Sequence, residues 1–568
     1  MVGRVSPVKS ARAKSVALAV LVVAGSFAAP SVGGLASTAQ AASFITGSSA
    51  YQAVAPFRLA DTRPEEGAFG FTRISDSIIR VQVGGRAGVP VNASAAVLNV
   101  TGVNTTAPGF VTVFPAGSAL PIASNVNFDN GGQVLANMVT VKLGAGGAVD
   151  VYMQRPMDIA VDVSGAYVPV VGSVASGRLV TLPGGAHRVL DTRQRGVGVA
   201  GGGVERVDVS SAGVPTDAVA VVVNITATQT AVGFWTAFPL NQARPNASNV
   251  NIDTPGQTRA GQAIVLLSGT PAFNVFSMGG GHLVVDVAGW FTGSKSAVTT
   301  DGLFLPANPV RLRDTRDSFF MPAWGGTTIE FPVGGPSGQV SAVAVNLTGT
   351  QSMIGGFVTA FPAGVARPEV SNLNVDTWDQ TIANHAIVRV SDRGMSLFTL
   401  QGLHMIADLS GWYLGPPTAA TMAPAVNPMY SSNTAHEVDA PAIGLSLEVG
   451  TGSNLDAVAN LGIAATWNGT AQLAVPGNIV LFGHRTTHGA PFRVINFLRI
   501  GDVISLIGDD GHSYNYAVVR QDVTVPSYNV INNIGLSSGL ATVQLVACTP
   551  PGSVRFRQVT TARLFSVT

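Results

Sequence analysis

The chain has 568 residues, of which 46% are hydrophobic and 11% are charged, and its formal net charge is +1. Such a length predicts about three to five domains with ample apolar residues for their cores. The near-neutral charge excludes both a basic field that would hold nucleic acid and an acidic disordered tail. The 66 glycines and 33 prolines favour many turns and an all-β architecture.

The N-terminus has the pattern of an export signal. Basic residues up to Lys14 precede the apolar run 16–29, and the small-residue site Ala39-Gln40-Ala41 follows it. We therefore expect a signal peptide over residues 1–41, and an exported protein that is extracellular or lies at the cell surface. A retained membrane anchor is the alternative, although the apolar run is shorter than the roughly 20 residues of a spanning helix.

The tripeptide Asp61-Thr62-Arg63 opens a long internal repeat, and it returns at 191–193 and 314–316. Each copy is followed by the same succession of alternating apolar segments, which predicts a β domain. Because the period exceeds the 20 to 50 residues or so of a solenoid unit, we expect three separate or side-by-side β-sandwich-like domains. Their predicted bounds are 42–170, 171–295 and 296–415. The units resemble a β module with this tripeptide that occurs in series on exported proteins of high-GC Gram-positive bacteria.

Each repeat also contains the segment Ser-Asn-x-Asn-x-Asp. On a strand its two amides and its carboxylate lie on one face, where they are able to bind sugar hydroxyls or to coordinate Ca²⁺. The alternative is a solvated strand face or a set of Asx turns. The candidate binding residues are Asn125, Asn127, Asp129, Asn249, Asn251, Asp253, Asn372, Asn374 and Asp376.

The Asp and Arg of the repeated tripeptide also lie on one face of a strand, where they are able to bind a polar or anionic ligand. Internal hydrogen bonds that fix the first turn of each domain are the favoured interpretation. After the third repeat, Pro416 and Pro417 interrupt the strand pattern. Residues 416–428 are therefore predicted to be a linker, and residues 429–568 a further domain.

This last domain carries the only cysteine of the chain, Cys548. A thiol becomes a good nucleophile near neutral pH only beside a base or a positive charge, and His484 in the segment GHRTTHG is the candidate base. Arg555 and Arg557 follow the cysteine in a strand-like segment and are candidates to stabilise an oxyanion. The three groups together favour acyl transfer, whereas a small buried hydrophobe is the alternative for a lone cysteine.

The segments that contain these residues, 440–449, 475–506 and 545–564, resemble those of sortases, the cysteine transpeptidases of Gram-positive cell envelopes. The sequence GHRTTHGAPF most closely resembles the class E branch of the family. The resemblance implies a closed β barrel with Cys548 as nucleophile and His484 as its partner, and the spacing favours Arg557 over Arg555 as the arginine. The family pattern TLxTC reads Gln-Leu-Val-Ala-Cys over 544–548, so both threonines are missing.

The resemblance further implies a substrate and a reaction. A sorting-signal peptide of LPxTG or LAxTG type would form a thioacyl enzyme, which an amine of the cell wall or a pilin would resolve, or water in a hydrolase or thiol protease. No cofactor is required, and Ca²⁺ is possible without a mapped site. The repeats would position the enzyme at the cell wall, with envelope polysaccharide as a possible ligand. The alternative function is a non-catalytic envelope- or carbohydrate-binding adhesion protein on a degenerate sortase scaffold.

Overall fold

A computed structural model describes most of the chain. The described residues are 45–318, 326–336, 338–352, 354–422, 434–451, 455–466, 471–474, 477–526 and 541–568. The predicted signal peptide over 1–41 and residues 423–428 of the predicted linker lie outside these ranges. Within them, no helix has both the length and the apolar character needed to span a bilayer.

Module 1 is a sandwich of two antiparallel sheets. One sheet has the order β1-β9-β4-β7 and the other the order β2-β3-β8-β5-β6. Its strands are β1 (Ser49–Asp61), β2 (Phe71–Ser75), β3 (Ile78–Gln82), β4 (Ala95–Val103), β5 (Gly109–Pro115), β6 (Val126–Phe128), β7 (Leu135–Lys142), β8 (Ala148–Met153) and β9 (Asp158–Pro169).

Modules 2 and 3 repeat this layout. In module 2, β10 and β11 both pair with β18 in the sheet β18-β13-β16, which packs on β12-β17-β14-β15. In module 3 the strands β19-β26-β21-β24 continue the sheet of module 1, because β1 pairs with β19 at Ser49 and Phe304, and the second sheet is β20-β25-β22-β23. The strands of module 2 are β10 (Leu179–Thr181), β11 (His187–Asp191), β12 (Val204–Asp208), β13 (Ala220–Thr228), β14 (Gly233–Pro239), β15 (Val250–Ile252), β16 (Arg259–Leu266), β17 (Ala272–Ser277) and β18 (His282–Phe291). Those of module 3 are β19 (Phe304–Asp314), β20 (Thr328–Phe331), β21 (Val340–Thr350), β22 (Gly356–Pro362), β23 (Leu373–Val375), β24 (Ile382–Arg389), β25 (Met395–Thr399) and β26 (His404–Leu414).

The central strand of each module is apolar on both faces because it contributes to two cores. In β4, Leu98 and Val100 face the core of module 1, whereas Ala95 and Val97 face a second core. This second core takes side chains from all three modules, including Ala220 of β13 and others of β21. Burial on both faces accounts for the nearly continuous apolar runs in these strands.

Side-chain amides close the three modules into a ring. The Nδ2 of an asparagine in each central strand donates to a serine carbonyl oxygen in the next module, and module 3 returns to module 1. The three bonds are Asn99 to Ser248 at 2.8 Å, Asn224 to Ser371 at 2.8 Å and Asn346 to Ser124 at 2.6 Å. The prediction of three tandem β-sandwich-like modules is confirmed, and these modules lie side by side around one axis.

The C-terminal domain is a closed β barrel, as predicted. Its strands follow the order β27-β28-β29-β30-β33-β34-β32-β31, and β30 runs parallel to β33. The strands are β27 (Ala435–Ala440), β28 (Leu445–Thr451), β29 (Ala464–Thr466), β30 (Gly477–Phe482), β31 (Val503–Gly508), β32 (Ser513–Thr524), β33 (Ala541–Thr549) and β34 (Phe556–Val567). The helices are α1 (Thr315–Ser318) in module 3 and α2 (Leu455–Ala459) in the barrel, with 3-10 turns at Pro64–Glu66, Ala145–Gly147, Ser210–Ala212, Pro441–Ile443 and Ile495–Phe497.

Module 3 contacts the barrel directly. Ile354 packs against Ala517 of β32 and Phe565 of β34. Nearby, the guanidinium carbon of Arg563 lies 5.3 Å from the ring centre of Trp378. An apolar contact and a cation–π contact therefore join the ring to the barrel.

Candidate active site

Strand register brings Cys548, His484 and Arg557 together. Phe482 of β30 lies opposite Val546 of β33, and the Gly483 N–H donates to the Val546 carbonyl at 3.2 Å. Because these strands are parallel, two further residues along each chain lead to His484 and Cys548. On the other side of β33, Cys548 is the direct register partner of Arg557 in β34. Neighbouring strands lie about 4.8 Å apart, so the three residues occupy one level at one end of the barrel.

Cys548 belongs to the outer face of the barrel. Alternate residues of β33 up to Ala547 point into the barrel core, whereas Val546 lies in an outer apolar cluster with Val480 and Val559. Alternation along the strand puts Cys548 on the same side as Val546. The cysteine is half-buried and has no disulfide partner. The expectation that it is simply a buried core hydrophobe is therefore not met.

The backbone at His484 is held by close packing. A side chain at Gly483 would approach the ring of Phe492 to 2.6 Å, so only glycine fits there without a shift. Phe492 is fully buried, and its N–H donates to the His484 carbonyl oxygen at 2.9 Å. The phenylalanine thus fixes the loop that presents the histidine.

Asn460 and His488 act on the His484 ring. The Oδ1 of Asn460, just after α2, lies 2.8 Å from His484 Nε2, and the two histidine ring centres lie 4.7 Å apart. With Nε2–H donating to Asn460, Nδ1 is the nitrogen that is free to take up a proton. Partial burial, and then the charge of His488, lower the pKa of His484, while Asp456 opposes the shift. The lowered pKa favours the neutral imidazole.

A buried arginine that the sequence analysis did not single out connects the histidine loop to the cysteine strand. Arg485 is only 7% exposed. It donates to the Thr549 hydroxyl and to Asn496 Oδ1, both at 2.6 Å, and more distantly to the Cys548 carbonyl at 3.4 Å. Its position directly after His484 in the GHR tripeptide is the sequence feature that could have indicated its role. Charge-assisted bonds of this kind hold the end of β33 against the loop.

The structure distinguishes the two arginines that follow the cysteine. Arg557 lies opposite Cys548, and its Nη1 donates to the carbonyl oxygens of Val554 and Phe556 at 2.9 and 3.2 Å. Arg555 precedes β34, is exposed, and lies over the ring of Phe556 at 5.2 Å. Of the two, Arg557 is the one whose backbone adjoins the thiol.

The missing threonines do not alter the face that carries the thiol. Ala547 is 3% exposed and belongs to the barrel core, so a hydroxyl at this position would point inward. Gln544 is fully buried, and its Oε1 accepts a hydrogen bond from Asn478 at 2.8 Å. The loss of a hydroxyl beside the nucleophile, which the sequence indicated, is thus a change within the core, and the Thr549 hydroxyl follows the cysteine.

In the modules, the repeated tripeptide makes internal ion pairs, as the favoured interpretation predicted. Arg63 donates to Asp61 from Nε at 2.9 Å and from Nη2 at 2.7 Å, and its backbone N–H also donates to that carboxylate. The same pattern recurs at 191–193 and 314–316. These bonds lower the pKa of all three aspartates despite the opposing effect of burial.

The polar residues of the Ser-Asn-x-Asn-x-Asp segments also have partners within the chain. The first asparagine accepts a bond from a backbone N–H of the preceding strand, and the second from the neighbouring serine hydroxyl. The aspartate accepts a backbone N–H from another module, and burial raises its pKa in all three cases. The nine residues are Asn125, Asn127, Asp129, Asn249, Asn251, Asp253, Asn372, Asn374 and Asp376. A role in sugar or Ca²⁺ binding stays a prediction, and in the described ranges no group of three or more His, Cys, Asp or Glu is placed to hold a metal ion.

The C-terminal barrel carries the cysteine and the arginine on neighbouring strands, with the histidine just beyond the end of a third strand. Residues 438–565 match the family model of the sortase domain. The chain therefore carries a C-terminal sortase domain.

Parts of the chain are similar to individual known proteins. Sortase SrtE1 of Streptomyces coelicolor is 35% identical over 91 residues, which are 15% of this chain and 26% of the relative. The chain thus spans about a quarter of the length of that curated relative. The crystal structure of Sortase E1 from Streptomyces coelicolor with a tripeptide in its active site aligns at 26% identity and a TM-score of 0.21, covering 23% of this chain and 88% of that one. Sortase C-1 from Actinomyces oris aligns at 24% identity and a TM-score of 0.21, covering 22% of this chain and 72% of that one.

Proposed function

We propose that the protein is an exported cysteine transpeptidase that cleaves a sorting-signal peptide and transfers its acyl part to an amine. The observation that carries the proposal is the shared level of Cys548, His484 and Arg557 on three adjacent strand ends. The proposed substrate is a peptide of LPxTG or LAxTG type, and the proposed acceptor is an amine of the cell wall or a pilin. The ring of modules would position the barrel at the envelope.

In the proposed reaction His484 takes the thiol proton of Cys548. The resulting thiolate attacks the carbonyl carbon of the Thr-Gly bond, so that a C–S bond forms and the carbonyl oxygen becomes an oxyanion. Arg557 stabilises the oxyanion, and collapse of the intermediate breaks the C–N bond while His484 gives a proton to the leaving amine. The acceptor amine then attacks the thioester and gives a proton to the neutral His484, and the C–S bond breaks to release the Cys548 thiolate. Water in place of the amine gives hydrolysis. Asn460 keeps Nε2–H engaged, so Nδ1 carries the proton that is exchanged.

The test is cleavage of LPxTG and LAxTG peptides by the full chain, followed by mass spectrometry with and without triglycine as acceptor. We expect cleavage between Thr and Gly, and a new Thr-triglycine product when the amine is present. Cys548→Ala should abolish both products. Absence of both products from the folded protein would instead favour the non-catalytic adhesion protein.

Arg557→Gln and Arg555→Gln form a matched pair, since they remove the same charge two residues apart. Loss of one oxyanion donor costs roughly 100- to 1000-fold in rate. We expect a loss of this size for Arg557→Gln, because Arg557 adjoins the thiol, and wild-type activity for Arg555→Gln, because its side chain is exposed. Equal losses in the two variants would contradict the role given to Arg557.

A further inference from the structure

The three boundaries of the ring are built alike, and two of them are closed by an arginine. At the boundary of modules 1 and 2, Arg58 Nη2 donates to the carbonyl oxygen of Asn246 at 2.6 Å. At the boundary of modules 3 and 1, Arg311 Nη2 donates to the carbonyl oxygen of Ile122 at 2.8 Å. Both arginines also donate from Nη1 to the aspartate of their own tripeptide at 2.5 Å. With the bond from Nε to Asp162 or Asp408, all three nitrogens of each guanidinium group donate a hydrogen bond.

The boundary of modules 2 and 3 is different. Arg188 occupies the position of Arg58 and Arg311, but its hydrogen bonds within the described residues go to Asp286 alone. Its Nη1 is 3.9 Å from Asp191, beyond hydrogen-bond distance. A cleft of about 320 Å³ opens at this boundary, large enough for a sugar unit. Among the described residues, this boundary therefore lacks the arginine bond that crosses the other two, and the Nη1 group of Arg188 makes no hydrogen bond there.

The cleft is lined by groups that suit a hydroxylated anion. They include three guanidinium groups, four hydroxyls, an amide, a carboxylate and an aromatic ring, and the argument uses those of Arg188, Arg367, Thr226, Asn374, Glu369 and Phe357. The charges of Arg188 and Arg193 are balanced by Asp286 and Asp191. In the part of the chain that the structure describes, Arg367 makes no ion pair and lies over the ring of Phe398 at 4.0 Å.

We propose that this cleft binds a saccharide that carries one acid group. The Arg367 fork would take the carboxylate or phosphate, because a guanidinium pairs with both in a bidentate manner. Thr226, Asn374 and Glu369 are able to bond sugar hydroxyls, and Phe357 supplies an apolar face for the ring. The proposal is independent of the acyl-transfer reaction, since none of these residues lies in the barrel.

The test is isothermal titration calorimetry of the full chain with glucuronate, glucose 6-phosphate, glucose and inorganic phosphate. We expect glucuronate or glucose 6-phosphate to bind at least tenfold more tightly than glucose or inorganic phosphate, since site binding needs both the acid and the ring. Equal affinity for inorganic phosphate and the sugar acids, or no binding of either sugar acid, would overturn the proposal.

The ring offers a matched control for the key residue. Arg244 of module 2 lies over the ring of Phe276 at 4.2 Å, as Arg367 lies over the ring of Phe398. Arg244, however, belongs to the boundary of modules 1 and 2, which Arg58 closes. Arg367→Leu installs the residue type that module 1 has at this position, Leu120, so we expect it to fold. It should weaken sugar-acid binding about 10- to 100-fold, the equivalent of one charge-assisted interaction, whereas Arg244→Leu should not.

Arg367→Lys keeps the charge and removes the bidentate fork. It should weaken binding severalfold, and it keeps the proposal testable if Arg367→Leu does not fold. Unchanged affinity in the Arg367 variants, or an equal loss in Arg244→Leu, would show that the cleft is not the binding site.

Discussion

The hydrogen bond between the side chains of Asn137 and Asn346 joins module 1 to module 3 across the ring. Asn137 Nδ2 donates to Asn346 Oδ1 at 3.0 Å, and both residues are only 2% exposed. Removing either side chain leaves the other amide without this partner, and an unsatisfied buried polar group costs about 1–3 kcal/mol. We therefore expect Asn137→Ala and Asn346→Ala each to lower the free energy of unfolding by at least that amount.

The double variant should lower the free energy of unfolding by about 0.5–3 kcal/mol less than the two single variants added together, because the second substitution removes a group that is already unpaired. The assay is urea unfolding of the full chain followed by tryptophan fluorescence. Five of the six tryptophans precede residue 423, so the signal reports mainly on the modules. Asn224 serves as control, since its Oδ1 accepts instead from Asn384 at 3.1 Å. Asn137→Ala and Asn224→Ala should be additive, and additivity of Asn137→Ala with Asn346→Ala would refute the cross-module bond.

Three further predictions concern the active site and the central core. Arg485→Met removes the charge-assisted bond to the Thr549 hydroxyl. It should lower the rate of peptide cleavage at least tenfold and the free energy of unfolding of the barrel by about 1.5–3 kcal/mol, measured by kinetics and by urea unfolding. An unchanged cleavage rate would contradict this role of Arg485. Asparagine at position 488 is compatible with the left-handed backbone there, at φ +50°. His488→Asn should raise the pKa of His484, so the limb of the pH–rate profile that reports on His484 should move to higher pH. An unmoved limb would exclude coupling of the two rings. Burial lowers the pKa of His385 to about 3, so between pH 6.5 and about 3 the unfolded state binds a proton that the folded state does not, and stability falls as pH falls. His385→Met should reduce this loss in unfolding titrations at pH 7 and 5, and an unchanged pH dependence would assign the loss to other groups.

The proximity of the three candidate residues could be predicted from the sequence because they lie in ordered motifs on strands. Cys548, His484 and Arg557 each sit at or beside a strand end, and strand pairing alone converts their order into proximity. Asn460 could not be predicted in this way, since its contact with His484 depends on how the turn after α2 packs against a loop 24 residues away.

The modules show the same division between local pattern and tertiary packing. The repeat predicted three similar β units, but closure of the ring depends on contacts such as Asn346 with Ser124, which are 222 residues apart. A local exception follows from one residue: Gly261 in β16 stands where β7 and β24 have asparagine. The Asn99 Oδ1 is accordingly left without a hydrogen-bond partner in the described residues. The missing arginine bond between modules 2 and 3 could not be predicted from the sequence, because all three modules carry the arginine and the tripeptide.

Acyl transfer at Cys548 is tested most sharply by the intact mass of the full chain after rapid quenching with an LPxTG or LAxTG peptide. We expect a covalent thioester adduct of the peptide's acyl part on Cys548 in the wild-type protein, no adduct in Cys548→Ala, and release of the adduct mass by hydroxylamine. A stable unmodified mass with both peptides, in a protein whose thiol remains reactive to iodoacetamide, would contradict an acyl-transfer site at these three strand ends.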